Sequence, residues 1–115
     1  MKIAIIGSRS LTDVDLGAYI EEIPEAVISG GARGVDTLAR QYAQERNISL
    51  VEILPEYDRY GRRAPLVRDR EIARQCDKLY AFWDGVSRGT IYTVRYAREI
   101  GREVVLTVCP SGQPR

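Results

Sequence analysis

Between Ala26 and Arg46 the sequence passes from a short apolar run, through a turn holding three glycines, into a segment of helical period. The run is Ala26-Val27-Ile28, and the turn is Ser29-Gly30-Gly31-Ala32-Arg33-Gly34-Val35-Asp36-Thr37. Val35, Leu38, Ala39, Tyr42 and Ala43 then recur at the spacing of one helix face, up to Asn47. A buried strand that feeds an amphipathic helix is half of a βαβ unit. That unit needs a parallel sheet with its crossover helix lying on one face. The same junction bears on function. Glycines let backbone approach a ligand closely, and free N–H groups at a helix start favour an anion.

The rest of the chain repeats this alternation. Lys2–Ile6 reads as a buried strand. Residues Asp13–Ile23 carry Leu16, Tyr19, Ile20 and Ile23 on one helical face, with Thr12 or Asp13 available as the N-cap. Ser49–Leu54 reads as a third strand stopped by Pro55, and Pro55–Pro65 as a loop. A helix from about Leu66 to Gln75, a strand over Lys78–Trp83, a helix over Gly89–Ile100 and a strand over Glu103–Val108 complete the series. Five strands separated by four helices predict one domain over residues 1–109. Its fold class is α/β, a Rossmann-like three-layer sandwich whose five-stranded, mostly parallel sheet carries helices on both faces. Residues 110–115 read as a flexible tail.

Composition narrows the chemistry. The formal net charge is +1, which gives no strong field toward nucleic acid or membranes. Lysine occurs only at Lys2 and Lys78, so nearly all the positive charge is arginine, the residue suited to two-pronged contacts with phosphate. With no histidine, the commonest general base and metal ligand are missing, and no metal site is expected. Cys76 and Cys109 show no paired-motif spacing and read as buried thiols in a reducing compartment rather than a disulfide framework. The apolar run after Met1-Lys2 is too short for a signal peptide or a membrane span. A cytoplasmic location without membrane partners is the expectation.

In a doubly wound sheet ligands bind beyond the carboxyl ends of the strands. Three segments should meet there. Gly7, Ser8 and Arg9 follow the first strand; Ser29, Gly30, Gly31, Arg33, Gly34 and Asp36 follow the second; Gly85, Gly89 and Thr90 follow the fourth. Neither the Walker order of a P-loop nor strict GxGxxG spacing is present. Arg68 and Asp69 stand near the start of a helix, and Asp69 shares the stripe of Leu66, Ile72, Ala73 and Cys76. An acid on an inward stripe needs a partner, either an ion pair or a ligand. Tyr92 and Tyr96, four apart on a helix, suit a subunit contact.

Ile6-Gly7-Ser8-Arg9, Ser29 to Asp36, Arg68-Asp69, Asp84-Gly85 and Arg88-Gly89-Thr90 together resemble the SLOG superfamily over about residues 2–108. Its Rossmann-like members include YpsA-related proteins, Lonely Guy enzymes and DNA-processing protein A. The Ser29–Asp36 stretch is similar to the SGxARGxD motif of the last, and the small size and GSR opening are most like the stand-alone YspA/YpsA-like branch. The resemblance implies a site for a nucleotide or an ADP-ribose- or NAD-like ligand, with no cofactor required. It places Gly7, Ser8 and Arg9 beside that ligand and wraps Gly30, Gly31 and Arg33 around its phosphate, with Asp36 steadying the turn. Arg68 matches an arginine of relatives, and Gly89 and Thr90 match the end of the Lonely Guy motif PGGxGTxxE.

Where that motif has its catalytic glutamate this chain has Thr93, which cannot stabilise a cationic sugar by charge. A sensor or carrier is therefore the expected function. The alternatives are an N-glycosidic hydrolase of nucleotides, with Asp69 or Asp84 as candidate catalytic acids, and single-stranded DNA binding. Relatives that pair through helices imply a homodimer or larger assembly.

Overall fold

The computed structural model of the chain describes residues 1–109; the predicted tail, 110–115, lies outside the described residues. Five strands form one sheet: β1 (Lys2–Gly7), β2 (Ala26–Ser29), β3 (Ser49–Glu52), β4 (Lys78–Trp83) and β5 (Glu103–Val108). Their order is β3-β2-β1-β4-β5, and every pairing is parallel. The chain runs outward from β1 to β3, returns to lay β4 against the other side of β1, and ends at β5. The direction of winding therefore reverses between β1 and β4, and a crevice opens above the carboxyl ends of those two strands.

The helices are α1 (Val35–Glu45), a single turn α2 (Tyr57–Tyr60), α3 (Ala64–Gln75) and α4 (Arg88–Glu99). Alternation along the strands sends side chains to two cores. On one face Ile3, Ile5, Val27, Tyr80 and Phe82 pack against Val35, Ala39, Tyr42 and Ala43 of α1. On the other, Ala4, Ile6, Ile28, Leu79 and Ala81 pack against Ile72, Ala73 and Cys76 of α3 and Val94 and Ala97 of α4. Both alternating sets are buried in β1 and β4, as a parallel strand covered on two sides requires. Asn47, in the left-handed region at φ 53°, turns the chain after α1. Pro65 occupies the first turn of α3, where its missing N–H costs nothing. Cys76 and Cys109 are free thiols, and burial pushes the Cys76 thiol up to about 11.

Two segments differ from expectation. Residues 13–23 do not form a helix; they cross the sheet as an irregular strap with a single 3-10 turn at Leu16–Ala18. Leu16 and Ile20 are buried in the first core, but Ile23 is 93% exposed. Gly17 weakens helix in mid-segment, and the guanidinium of Arg46 lies where a Cβ on Gly17 would be, at 2.6 Å. The strap is fastened by a long-range contact. Glu22 accepts hydrogen bonds from Lys78 Nζ at 2.5 Å and Tyr80 OH at 2.6 Å, both on β4. The second difference is the expected loop before Pro65, which contains α2 and a 3-10 turn at Gly61–Arg63, so that α3 begins at Ala64.

Among the described residues, no helix is long and apolar enough to cross a membrane.

Candidate functional site

A cavity of about 300 Å³ occupies the crevice between β1 and β4. Ile6, Gly7, Ser8 and Arg9 line it from the end of β1, Gly30, Ala32 and Asp36 from the β2–α1 turn, Pro65, Arg68, Asp69 and Ile72 from α3, and Ser87, Gly89, Thr90 and Thr93 from α4. Four separate chain segments thus meet at one point. Of the candidates read from sequence, Gly7, Ser8, Arg9, Gly30, Asp36, Arg68, Asp69, Gly89 and Thr90 are brought together here. Ser29, Gly31, Arg33, Gly34, Asp84 and Gly85 are not in the lining. Thr93, Pro65 and the two isoleucines join it without having been singled out as binding groups.

One wall is ionic. Arg68 is only 8% exposed, and its charge acts on two carboxylates, Asp69 and Asp36. Its Nε donates to Asp69 Oδ1 at 2.7 Å, and its Nη1 donates to the Gly30 carbonyl at 2.7 Å. That contact explains Gly30, since a Cβ there would come within 2.6 Å of Nη1. Asp36, 7% exposed, accepts the Ala32 N–H at 3.1 Å and so braces the glycine turn from inside. Burial raises the pKa of Asp36, opposed by the Ala32 N–H and the Arg68 charge. Burial likewise raises that of Asp69, opposed by Arg68. The Thr93 hydroxyl lies beside Asp69 and also favours its charge, but its single proton goes to the Gly89 carbonyl at 2.8 Å. Asp69 Oδ2 receives no donor in full hydrogen-bond geometry among the described residues.

The opposite wall presents donors. Ser87 sits at the N-cap of α4 but does not cap it. Its Oγ donates instead to Asp84 Oδ2 at 2.9 Å. The first N–H groups of α4, at Arg88, Gly89 and Thr90, are left at a helix end that favours anions. Thr90 is 7% exposed and lines the cavity, and its hydroxyl makes no hydrogen bond among the described residues. Ser8 Oγ accepts the Asp84 N–H at 3.0 Å, and its own proton has no acceptor among the described residues. Arg9 reaches the cavity from an exposed position.

Asp84 serves this wall indirectly. Its carboxylate accepts the Val86 and Ser87 N–H groups and the Ser10 and Ser87 hydroxyls. Burial works to raise its pKa, but those four hydrogen bonds prevail and hold it well below the usual carboxylate range. It ties the loop after β1 to the loop after β4 and has no oxygen turned to a ligand.

Gly34 explains why the β2–α1 turn is so rich in glycine. It has φ 75°, and a Cβ on it would lie 2.6 Å from the Ser8 carbonyl oxygen and from Arg9 Cα. The turn therefore passes directly against the loop after β1, with no room for a side chain. The Ser29 hydroxyl is fully buried without a partner in full hydrogen-bond geometry; it faces Asp36 closely enough to favour its ionised form. Gly31, also at positive φ, packs toward Leu54, while Arg33 is exposed. On the outer side of α3 and α4, Arg70 Nε donates to Tyr92 OH at 2.6 Å, and the guanidinium lies over both Tyr92 and Tyr96. Among the described residues no cluster of three or more acidic, cysteine or histidine side chains could hold a metal ion.

Neither a curated protein nor a solved structure matches the chain. The model of one protein family, YAcAr, described as the YspA, cpYpsA-related SLOG family, matches residues 1–60. That match takes in β1, the strap, β2, the glycine turn, α1 and β3, and thus the Gly7–Arg9 and Gly30–Asp36 parts of the cavity. The match covers more than half of the sequence and includes both glycine segments on the β1 side of the crevice; the chain belongs to the YspA, cpYpsA-related SLOG family.

Proposed function

We propose that this cavity binds a nucleotide or nucleotide-derived ligand through its phosphate, and that the protein acts as a sensor or carrier. The observation that carries the reading is the donor wall: an uncapped α4 N-terminus flanked by the unused hydroxyl protons of Ser8 and Thr90. The phosphate belongs on that wall rather than in the glycine turn. Two unit charges 4 Å apart at a partly solvated site interact by about 4 kcal/mol. A helix N-terminus contributes about 1–2 kcal/mol at best. An anion set against Asp36 and Asp69, with only Arg68 to offset them, would lose more than a helix end returns.

Calorimetric titration with AMP, ADP-ribose and NAD tests the reading. At least one should bind. Thr90→Val and Ser8→Ala together should weaken binding about tenfold or more, because each removes a hydroxyl donor to charge. No binding by any of the three would overturn it.

Asp69 supports a second reading, N-glycosidic hydrolysis. A carboxylate in the cavity could face the developing positive charge on a sugar. Release of free base from AMP, abolished by Asp69→Asn, would establish turnover in place of simple binding.

A further inference from the structure

The two walls of the cavity differ in kind, and the difference specifies the part of a ligand that each can meet. The α4 wall offers donors, from the Gly89 and Thr90 N–H groups to the hydroxyls of Ser8 and Thr90. The α3 wall offers an acceptor. Asp69 uses Oδ1 for Arg68 and keeps Oδ2 free of any donor in good geometry. Its side chain is 16% exposed and lines the cavity. Its neighbours are turned mainly elsewhere, although the Thr93 hydroxyl lies close enough to favour its charge. Arg68 is turned to Oδ1 and to the Gly30 carbonyl, the Thr93 proton goes to the Gly89 carbonyl, and Asp36 is itself an acceptor braced on Ala32. A largely enclosed acceptor short of a donor is costly unless water or the ligand supplies one.

The group that fills this position must therefore carry a hydrogen-bond donor close to an anion. The volume, about 300 Å³, is at the small end for ligand sites, suited to a sugar phosphate more than to a whole dinucleotide.

Resting on the binding reading above, we infer that Asp69 is a specificity-determining residue: its Oδ2 accepts a hydroxyl of the ribose in a phosphorylated ribose ligand and so selects ribonucleotides over deoxyribonucleotides. Arg68 holds the carboxylate in place and is a positioning residue. Because the sugar and phosphate fill the cavity, ribose 5-phosphate alone should keep a measurable part of the affinity.

The test compares binding of AMP, 2′-deoxy-AMP, 3′-deoxy-AMP and ribose 5-phosphate to the full chain by calorimetry. One or both deoxynucleotides should bind about tenfold or more weakly than AMP, as expected when a site built around a hydroxyl meets an analogue without it. Asp69→Asn should narrow that gap while leaving binding of the deoxynucleotide within about threefold. Asp69→Glu, which keeps the charge but moves the oxygens, serves the same purpose if the asparagine variant does not fold. Equal binding of AMP and both deoxynucleotides would overturn the inference and leave the binding reading intact. A full preference for ribose in a folded Asp69 variant would overturn the role of Asp69. No binding by any of these four probes would overturn this inference, and the binding reading falls with it only if ADP-ribose and NAD fail to bind as well.

Discussion

Arg68 is the residue on which the cavity depends. It is buried, it joins α3 to the glycine turn through the Gly30 carbonyl, and it is the cation beside the buried Asp36 and the half-buried Asp69. An ion group of this kind contributes little relative to a well-packed apolar one, but removing one member leaves the others uncompensated. Arg68→Met keeps the bulk and removes the charge, so Asp36 and Asp69 would face each other without it. Unfolding in denaturant should show a loss of about 3–5 kcal/mol at neutral pH. The sign of the acids' own titration gives a second readout. Both pKa values are raised by burial, so the protonated forms favour the folded state. In the variant, where Arg68 no longer opposes burial, the stability loss should shrink as pH falls toward the ordinary aspartate range, near 3.8. A variant whose stability matches the parent at pH 7 would show that Arg68 is not the counter-charge.

At the scale of elements, the parts legible in the sequence are those set by local pattern. The strands, α1, α3 and α4 follow from apolar runs and helical period, and the convergence of three strand-end segments follows from the parallel topology. The β1–β2 strap was not legible. Its apolar residues have helical spacing, yet Glu22 is drawn across the sheet by Lys78 and Tyr80, fifty-six and fifty-eight positions away in sequence. No local pattern reports such a partner. The site was legible as a place more than as an arrangement. Sequence spacing could not reveal that the Ala32 N–H is taken by Asp36, or that the Ser87 hydroxyl turns to Asp84 and leaves α4 uncapped. The strap anchor has a pH signature. Hydrogen bonds from Lys78 and then Tyr80 hold Glu22 down at about 2, against an ordinary 4.5. A depressed folded pKa contributes stability that is present above 4.5 and lost as pH falls toward 2. Lys78 is raised, first by Glu22, so its share is present below its ordinary 10.5 and lost only at still higher pH. Glu22→Gln should cost less than about 1 kcal/mol at pH 7, because the carboxylate is partly solvated. Chemical denaturation measured from pH 6 to pH 2 should fall less steeply in Glu22→Gln than in the parent; parallel curves would show that Glu22 does not anchor the strap.

For the molecule as a whole, a net charge of +1 conceals an uneven surface. Arg9, Arg33, Arg62, Arg63 and Arg88 are exposed, and among the described residues none of them has a salt-bridge partner. Each lines the cavity or lies within three residues of a lining position. The acids on the same edge are mostly engaged: Glu52 with Arg40, Glu56 with Arg59, Asp69 with Arg68, and Asp84 with its turn. An anion approaching the crevice meets unopposed guanidinium groups before it meets the buried acids. Such a rim acts at long range and is screened by salt, because the Debye length shrinks from about 14 Å at 0.05 M to about 4 Å at 0.5 M. The affinity for AMP should therefore fall several-fold over that range, mostly through a slower association rate. Uncharged adenosine, tested in parallel, should show no such dependence. Arg33→Gln combined with Arg88→Gln should lower the affinity at 0.05 M and flatten the salt slope, with little change at 0.5 M. An AMP affinity independent of salt would assign binding to the cavity's own donors and leave the rim without a part in it.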